Sequence, residues 1–203
     1  MGFNMNALGF VLLGYLLGSV PFAVIVSRAF GLADPRSFGS GNPGATNVLR
    51  SGNKLAALLT LIGDAAKGWV AIWLSKELGA DSLGMALAGI AAFIGHVFPL
   101  FLKFKGGKGV ATALGVLAGF SVWLALSCAG VWLLAALVTR YSSLAALLAA
   151  VAAPVAAALL GAGNEALIAV TAMSVILILR HRDNIKRLLA GTEGRIGGKK
   201  NSG

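Results

Sequence analysis

Residues 110–138 read VATALGVLAGFSVWLALSCAGVWLLAALV, a run without one charged side chain. About twenty apolar residues cross a bilayer core ~30 Å thick, so this run is membrane material with length to spare. One straight helix over it would extend about 43 Å, well beyond that core. The run also carries Gly115, Gly119, Ser121, Ser127 and Gly130. It is therefore read as two short or tilted helices meeting near residues 119–121.

The rest of the chain has the same character. Further apolar runs cover residues 7–29, 55–74, 83–102, 144–160 and 166–179. Of 203 residues, 58% are apolar and only 12% charged, half the roughly 25% charged content of soluble domains. Most of the surface must therefore meet lipid. The net charge of +10 does not indicate nucleic acid, because the basic residues sit in short loops between apolar runs and not on one soluble face. Cys128, the single cysteine, can form neither an internal disulfide nor a multi-cysteine zinc site. Residues 1–6 lack the basic start of a cleaved signal, and no small-residue cleavage site precedes Arg28, so the first run is read as a retained helix. No internal repeat is visible, and the whole of 1–203 is read as one domain.

Charge fixes the topology. All of the 17 basic residues except Lys67 and Lys76 fall at residues 28–54, 103–108, at Arg140, or in the tail from Arg180 onward. Lys/Arg excess marks cytoplasmic loops, so these regions belong inside. Between the loop at 103–108 and the tail the chain must then cross an even number of times. Splitting 110–138 supplies the missing crossing. The expectation is an all-α integral membrane protein of seven transmembrane helices, N-terminus outside and C-terminus cytoplasmic.

Three polar segments lie on that inner side. The first contains Gly39, Ser40, Gly41, Asn42, Pro43, Gly44, Ala45, Thr46, Asn47 and Arg50. Its glycines match G-x-G-x-x-G, but a membrane helix and not a βαβ strand precedes them, so it is no dinucleotide fingerprint. Glycines still let backbone N–H groups converge on an anion, and a helix starting near Ala45 would add its positive end. Ser40, Asn42, Thr46 and Asn47 add hydrogen-bonding groups, and Arg50 a forked charge. The second runs Phe104, Lys105, Gly106, Gly107, Lys108, Gly109, Val110, Ala111, Thr112. It lacks the upstream glycine and the Ser/Thr after lysine of a Walker A loop, so a nucleotide is not expected, though Lys108 between Gly107 and Gly109 suits a phosphate. The third, residues 181–193, follows the last apolar run. His181, Asn184 and Leu188 share one face there if the helix continues. Within the membrane, Asp64 and Lys67 are three residues apart and able to pair, and His96 precedes Pro99; His96 is read as a packing residue.

Together with Gly18, Ser19, Val20, Pro21 and Phe22, these segments resemble the bacterial membrane acyltransferases that use acyl phosphate to acylate glycerol 3-phosphate, the PlsY family. The resemblance covers the chain from near its start to its tail; past Arg195 the tail looks like non-specific extension. It implies transfer of an acyl chain from acyl phosphate to the 1-hydroxyl of sn-glycerol 3-phosphate, giving lysophosphatidic acid and phosphate in phospholipid synthesis. It also implies no metal, no other cofactor, no nucleotide and no nucleic acid, with membrane lipids as the surroundings and the bacterial inner membrane as the location. Carried onto this sequence, the family's site falls on Ser40, Arg50, Lys108, His181 and Asn184 for catalysis. Gly41, Asn42, Gly44, Thr46, Asn47, Gly107 and Gly109 would bind substrate phosphate. An activated donor needs no side-chain nucleophile; the base is either His181 or a phosphate oxygen of the donor, the latter preferred. Two rivals remain. A phosphate or organophosphate transporter would favour a site near the midplane. A CDP-alcohol phosphotransferase would need clustered aspartates, whereas Asp34, Asp64 and Asp183 lie far apart in sequence.

Overall fold

A computed structural model of the chain describes residues 6–197. The leader reading at residues 1–5 and the tail lysines Lys199 and Lys200 lie outside the described residues. The described residues are helical with connecting loops, in the order α1 (Ala7–Ser19), α2 (Phe22–Ala29), α3 (Ala45–Leu49), α4 (Lys54–Glu77), α5 (Ser82–Val97), a 3-10 turn (Leu100–Leu102), α6 (Val110–Phe120), α7 (Val122–Thr139), α8 (Ser142–Leu159), α9 (Asn164–Arg180) and α10 (Arg182–Leu189).

Residues 110–138 do break, at Ser121, whose extended backbone (φ −159°, ψ 128°) ends α6 and starts α7. The two pieces are unequal. Among the described residues, five spans are long and apolar enough to cross a membrane: Ala7–Ala29, Lys54–Glu77, Ser82–Leu102, Val122–Thr139 and Ser142–Leu159. The bent pair α9–α10 makes a sixth. With 11 residues, α6 is only about 16 Å long, half a bilayer core.

Two expected continuities also fail. The first span is interrupted at Val20 and Pro21, because proline brings no N–H to the helix ladder. The Val20 carbonyl at this break accepts from the Phe22 N–H at 3.2 Å and from Lys67 Nζ at 2.9 Å. The last span does not run on through His181: α9 and α10 meet there at 55°. Asn184 and Leu188 still share a face of α10, while His181 is the hinge.

Apolar attraction between helices is weak in lipid, so close packing of small residues takes over. Gly14 and Gly18 of α1 lie directly on the backbones of Ala88 and Ala92 in α5, where any added methyl would collide. Gly115 of α6 sits likewise on the Ala65 carbonyl of α4. A core of Ile72, Phe93, Val97, Val116, Leu124, Val170 and Met173 fills the centre. Outward, Leu8, Leu12, Trp123, Leu134, Leu137 and Val138 are exposed, as lipid-facing positions should be.

Gly115 and Gly130 test this packing with one chemical change. Gly115→Ala is expected to force α4 and α6 apart, at a cost of about 1–3 kcal/mol, and to lower the Tm in detergent. Gly130→Ala meets open space within α7 and is expected to leave the Tm unchanged or raise it by the equivalent of about 0.4–1 kcal/mol.

Candidate active site

The loop between α2 and α4 is tied together from inside. Asp34 accepts from the Arg36 backbone N–H (2.9 Å) and guanidinium (2.6 Å), contacts that hold its carboxyl down at about 2. Asn47, buried in the short helix α3, reaches back across the loop. Its Nδ2 donates to the carbonyls of Pro35 (2.6 Å) and Phe38 (3.2 Å), and its Oδ1 accepts from the Ser40 N–H (2.9 Å). Gly39 and Gly41 take left-handed backbone (φ 60° and 66°), and a side chain on Gly39 would strike the Asn47 amide. Ser40, Gly41 and Asn42 are thereby turned toward a cleft. The helix expected near Ala45 is present but has five residues, too few for a substantial dipole.

On the facing side, the loop before α6 rests on the end of α5. The Gly107 N–H donates to the His96 carbonyl (3.1 Å), and Gly109 (φ 86°) lies flat against the Phe93 ring. Lys108 then projects to Asn184 on α10, donating to its Oδ1. The Asn184 Nδ2 donates to Glu193 Oε1 (2.6 Å), which also accepts from the Ser143 hydroxyl (2.7 Å). Glu193 Oε2 accepts from Arg187 Nε (2.7 Å). One continuous network thus joins the α5–α6 loop, α10, the tail and the start of α8. The same end carries Thr46, whose hydroxyl is 3.2 Å from that of Ser142, and Arg140, whose carbonyl accepts from the Ile196 N–H (2.7 Å).

The cleft between these pieces has a volume of about 560 Å³. Ser40, Gly41, Asn42, Lys108, Asn184, Arg180, Arg182, Asp183 and Arg187 form its polar part; Ile94, Phe98, Ile176 and Leu179, from the ends of α5 and α9, form an apolar wall. Of the residues expected at the site, Ser40, Gly41, Asn42, Lys108 and Asn184 line it. Gly44 caps α3 just behind, beside the Asn42 amide, and Gly107 and Gly109 support the Lys108 loop from below. Arg50 lies at the end of α3 with its guanidinium beside Gly194. Thr46 faces Ser142, and Asn47 spends its amide inside the loop. His181 does not line the cleft: it is 2% exposed, with Nδ1 at 2.8 Å from the Leu177 carbonyl.

Burial acts on two charged groups here. Desolvation pushes Lys108 down to about 8; Glu193 opposes the shift, and Arg187, Arg50 and Arg180 add to it. The His181 Nδ1 faces the Leu177 carbonyl. A carbonyl only accepts, so Nδ1 carries the proton and Nε2 the free lone pair. For Glu193, desolvation favours the neutral form, but hydrogen bonds from Ser143, Asn184 and Arg187 outweigh it and hold the carboxyl below its usual range.

Sequence reasoning passed over Glu193, Arg180 and Arg187. The signal for Glu193 was a lone glutamate in a tail otherwise dominated by cations. Among the described residues, no three His, Cys, Asp or Glu side chains come together.

The sequence model of one family, described as glycerol-3-phosphate acyltransferase, matches residues 8–191. The chain is 61% identical over 203 residues to a glycerol-3-phosphate acyltransferase of Laribacter hongkongensis, covering 98% of this chain and 100% of the relative. It is 58% identical over 196 residues to one from Aromatoleum aromaticum, covering 97% and 100%. Among solved structures, it is similar to PlsY (YgiH), an integral membrane glycerol 3-phosphate acyltransferase. With the glycerol 3-phosphate form the TM-score is 0.88 at 41% identity, over 93% of this chain and 94% of the other. With the lysophosphatidic acid form it is 0.87 at 40% identity, over the same shares.

Removing the Glu193 carboxylate strands three donors. Glu193→Ala is expected to cost about 1–3 kcal/mol and to lower the Tm measurably. Glu193→Gln, which keeps an acceptor for Ser143 and Asn184, should lose less.

Proposed function

The chain belongs to the glycerol-3-phosphate acyltransferase family, and on that premise we propose that it uses acyl phosphate as donor, acylates the 1-hydroxyl of sn-glycerol 3-phosphate, and releases lysophosphatidic acid and phosphate. The observation that carries this reading is the cleft itself, whose cationic polar part ends on an apolar wall between α5 and α9. A donor with a charged head and a long acyl tail fits that division, and a soluble head group does not require it.

The proposed chemistry is one displacement. The 1-hydroxyl oxygen attacks the acyl carbonyl carbon, the C–O bond to phosphate breaks, and phosphate leaves with the electron pair. Lys108, Arg180 and Arg187 neutralise phosphate charge, with Arg50 at the edge of the site. Ser40, Asn42 and the Gly41 backbone orient the hydroxyl and the developing oxyanion. Asn184 fixes the Lys108 ammonium. Gly44, Thr46, Asn47, Gly107 and Gly109 shape the two loops. The hydroxyl proton passes to a donor phosphate oxygen. His181 is buried and stands outside the lining of the cleft, and this supports the phosphate over the imidazole.

The site sits at the cytoplasmic face of the bacterial inner membrane in this proposal. The chain crosses seven times, with the N-terminus outside and α6 as the short seventh crossing. Two facts support that count. The Lys108 loop and the α7–α8 turn belong to one hydrogen-bonded network, so α6 and α7 lead away and back. The basic loops also share that end, as the Lys/Arg bias requires.

One assay tests the donor. Purified protein given glycerol 3-phosphate should form lysophosphatidic acid with acyl phosphate and not with acyl-CoA; turnover with acyl-CoA alone would overturn the assignment. In the same assay His181→Gln should retain turnover. Its loss with glycerol 3-phosphate binding intact would transfer the base role to His181.

The pH profile gives a second test. The Lys108 ammonium is charged below about 8 and loses its proton as pH rises through that value. The KM for a phosphate-bearing substrate should therefore climb above about pH 8 in the native enzyme. Lys108→Arg, charged throughout, should abolish that rise.

A further inference from the structure

Asp64, Lys67 and His96 take no part in the displacement, yet each is at most 7% exposed within the helices. Lys67 Nζ is 2.8 Å from Asp64 Oδ1, and His96 Nδ1 is 3.4 Å from the same oxygen. Lys67 also donates to the Val20 carbonyl at the α1–α2 break. Stability alone does not explain such a group, since apolar residues of similar volume often replace a buried ion pair without loss. What an ion pair adds is direction.

The direction leads to the Lys108 loop. The His96 carbonyl accepts from the Gly107 N–H at 3.1 Å. A methyl on Gly107 would strike His96 Nε2, and one on Gly106 would strike the His96 carbonyl and the Pro99 ring. The turn thus rests on His96 with no space between. From the other side, Arg180 Nη2 donates to the carbonyls of Gly106 (3.5 Å) and Gly107 (3.4 Å). Lys108 is the next residue.

We infer that Asp64, Lys67 and His96 are positioning residues for the Lys108 turn: the buried ion pair fixes the His96 imidazole, and the imidazole is the floor that holds the lysine at the cleft. The inference rests on the proposed assignment of Lys108 to a substrate phosphate. The turn has no ladder of its own and is bounded by left-handed residues at Lys103, Phe104 and Gly109. Without a floor it would sample other positions. A displaced lysine loses its contact with the substrate phosphate, and the loss of such a binding contact appears in KM.

The test is a double-mutant cycle on the full-length purified protein. Asp64→Leu/Lys67→Met removes both charges together and leaves no unpaired ion, so the Tm should stay within a few degrees of the native value. The KM for the substrate that Lys108→Gln affects should rise roughly 10-fold, about 1.4 kcal/mol, with kcat far less changed. In the Lys108→Gln background the same pair of substitutions should add nothing further. Native kinetic constants in Asp64→Leu/Lys67→Met, or an effect that adds fully to that of Lys108→Gln, would overturn the positioning role and leave the Lys108 assignment standing. Unchanged KM values in Lys108→Gln alone would overturn the assignment and this inference with it. If the paired variant does not fold, His96→Gln carries the same cycle with the same outcomes.

Discussion

The carboxylate of Glu193 is the contact on which the polar end of this molecule depends. Lys108, Arg180, Arg187 and Arg50 all bear on one small region, and each guanidinium there depresses the lysine. Like charges gathered at the edge of a low-dielectric medium repel, and without an anion they would splay apart. Glu193 supplies that anion and three hydrogen bonds with it. Its partners come from the start of α8 and from two positions on α10. Through Asn184 it reaches the loop before α6 as well. Four chain segments are therefore held by one side chain, and the cations stay gathered beside the cleft.

That arrangement is possible because the helices beneath it are packed backbone to backbone. Gly14 and Gly18 against Ala88 and Ala92, and Gly115 against Ala65, bring α1 to α5 and α4 to α6 at separations that larger residues forbid. The loops at the polar end inherit their spacing from these contacts. In lipid, where burying apolar surface gives little net attraction between helices, close approach of small residues is the main source of such precision. The bilayer also explains the economy of charge elsewhere: Asp64 and Lys67 are tolerated because they face each other and the Val20 carbonyl.

Much of this was legible because it is written in short-range chemistry. The break in residues 110–138 followed from length and from Gly119 and Ser121, and it falls at Ser121. The glycine-laced loops and Lys108 pointed to a common polar site, and Ser40, Gly41, Asn42, Lys108 and Asn184 do face one cleft. Most of the failures lie where partners outside a short motif decide. The bend at His181 has no glycine or proline to mark it; the buried imidazole there sits against the Leu177 carbonyl one turn back. Pro21 was visible, but the contact that Lys67 makes from another helix with the Val20 carbonyl at the break was not. Asn47 reads as a ligand for an anion until its neighbours show that the loop itself uses the whole amide. Glu193 gave a weak sign, because one acid in a basic tail looks like charge balancing until Ser143, Asn184 and Arg187 converge on it.

The placement of the cleft follows from opposing demands on solvation. Phosphate groups and the cations that bind them interact most strongly where water is scarce, yet a lysine moved too far from water gives up its proton. Lys108 sits between these limits, half-buried, lowered but sustained by Glu193. An acyl chain makes the opposite demand and needs a path that never meets water. Both are met only at the boundary where α5 and α9 end, with Phe98 and Leu179 on one side of the cleft and Lys108 and Arg187 on the other. A deeper site would discharge the lysine, and a shallower one would expose the chain. For the proposed reaction, a site at the membrane surface is thus a chemical requirement.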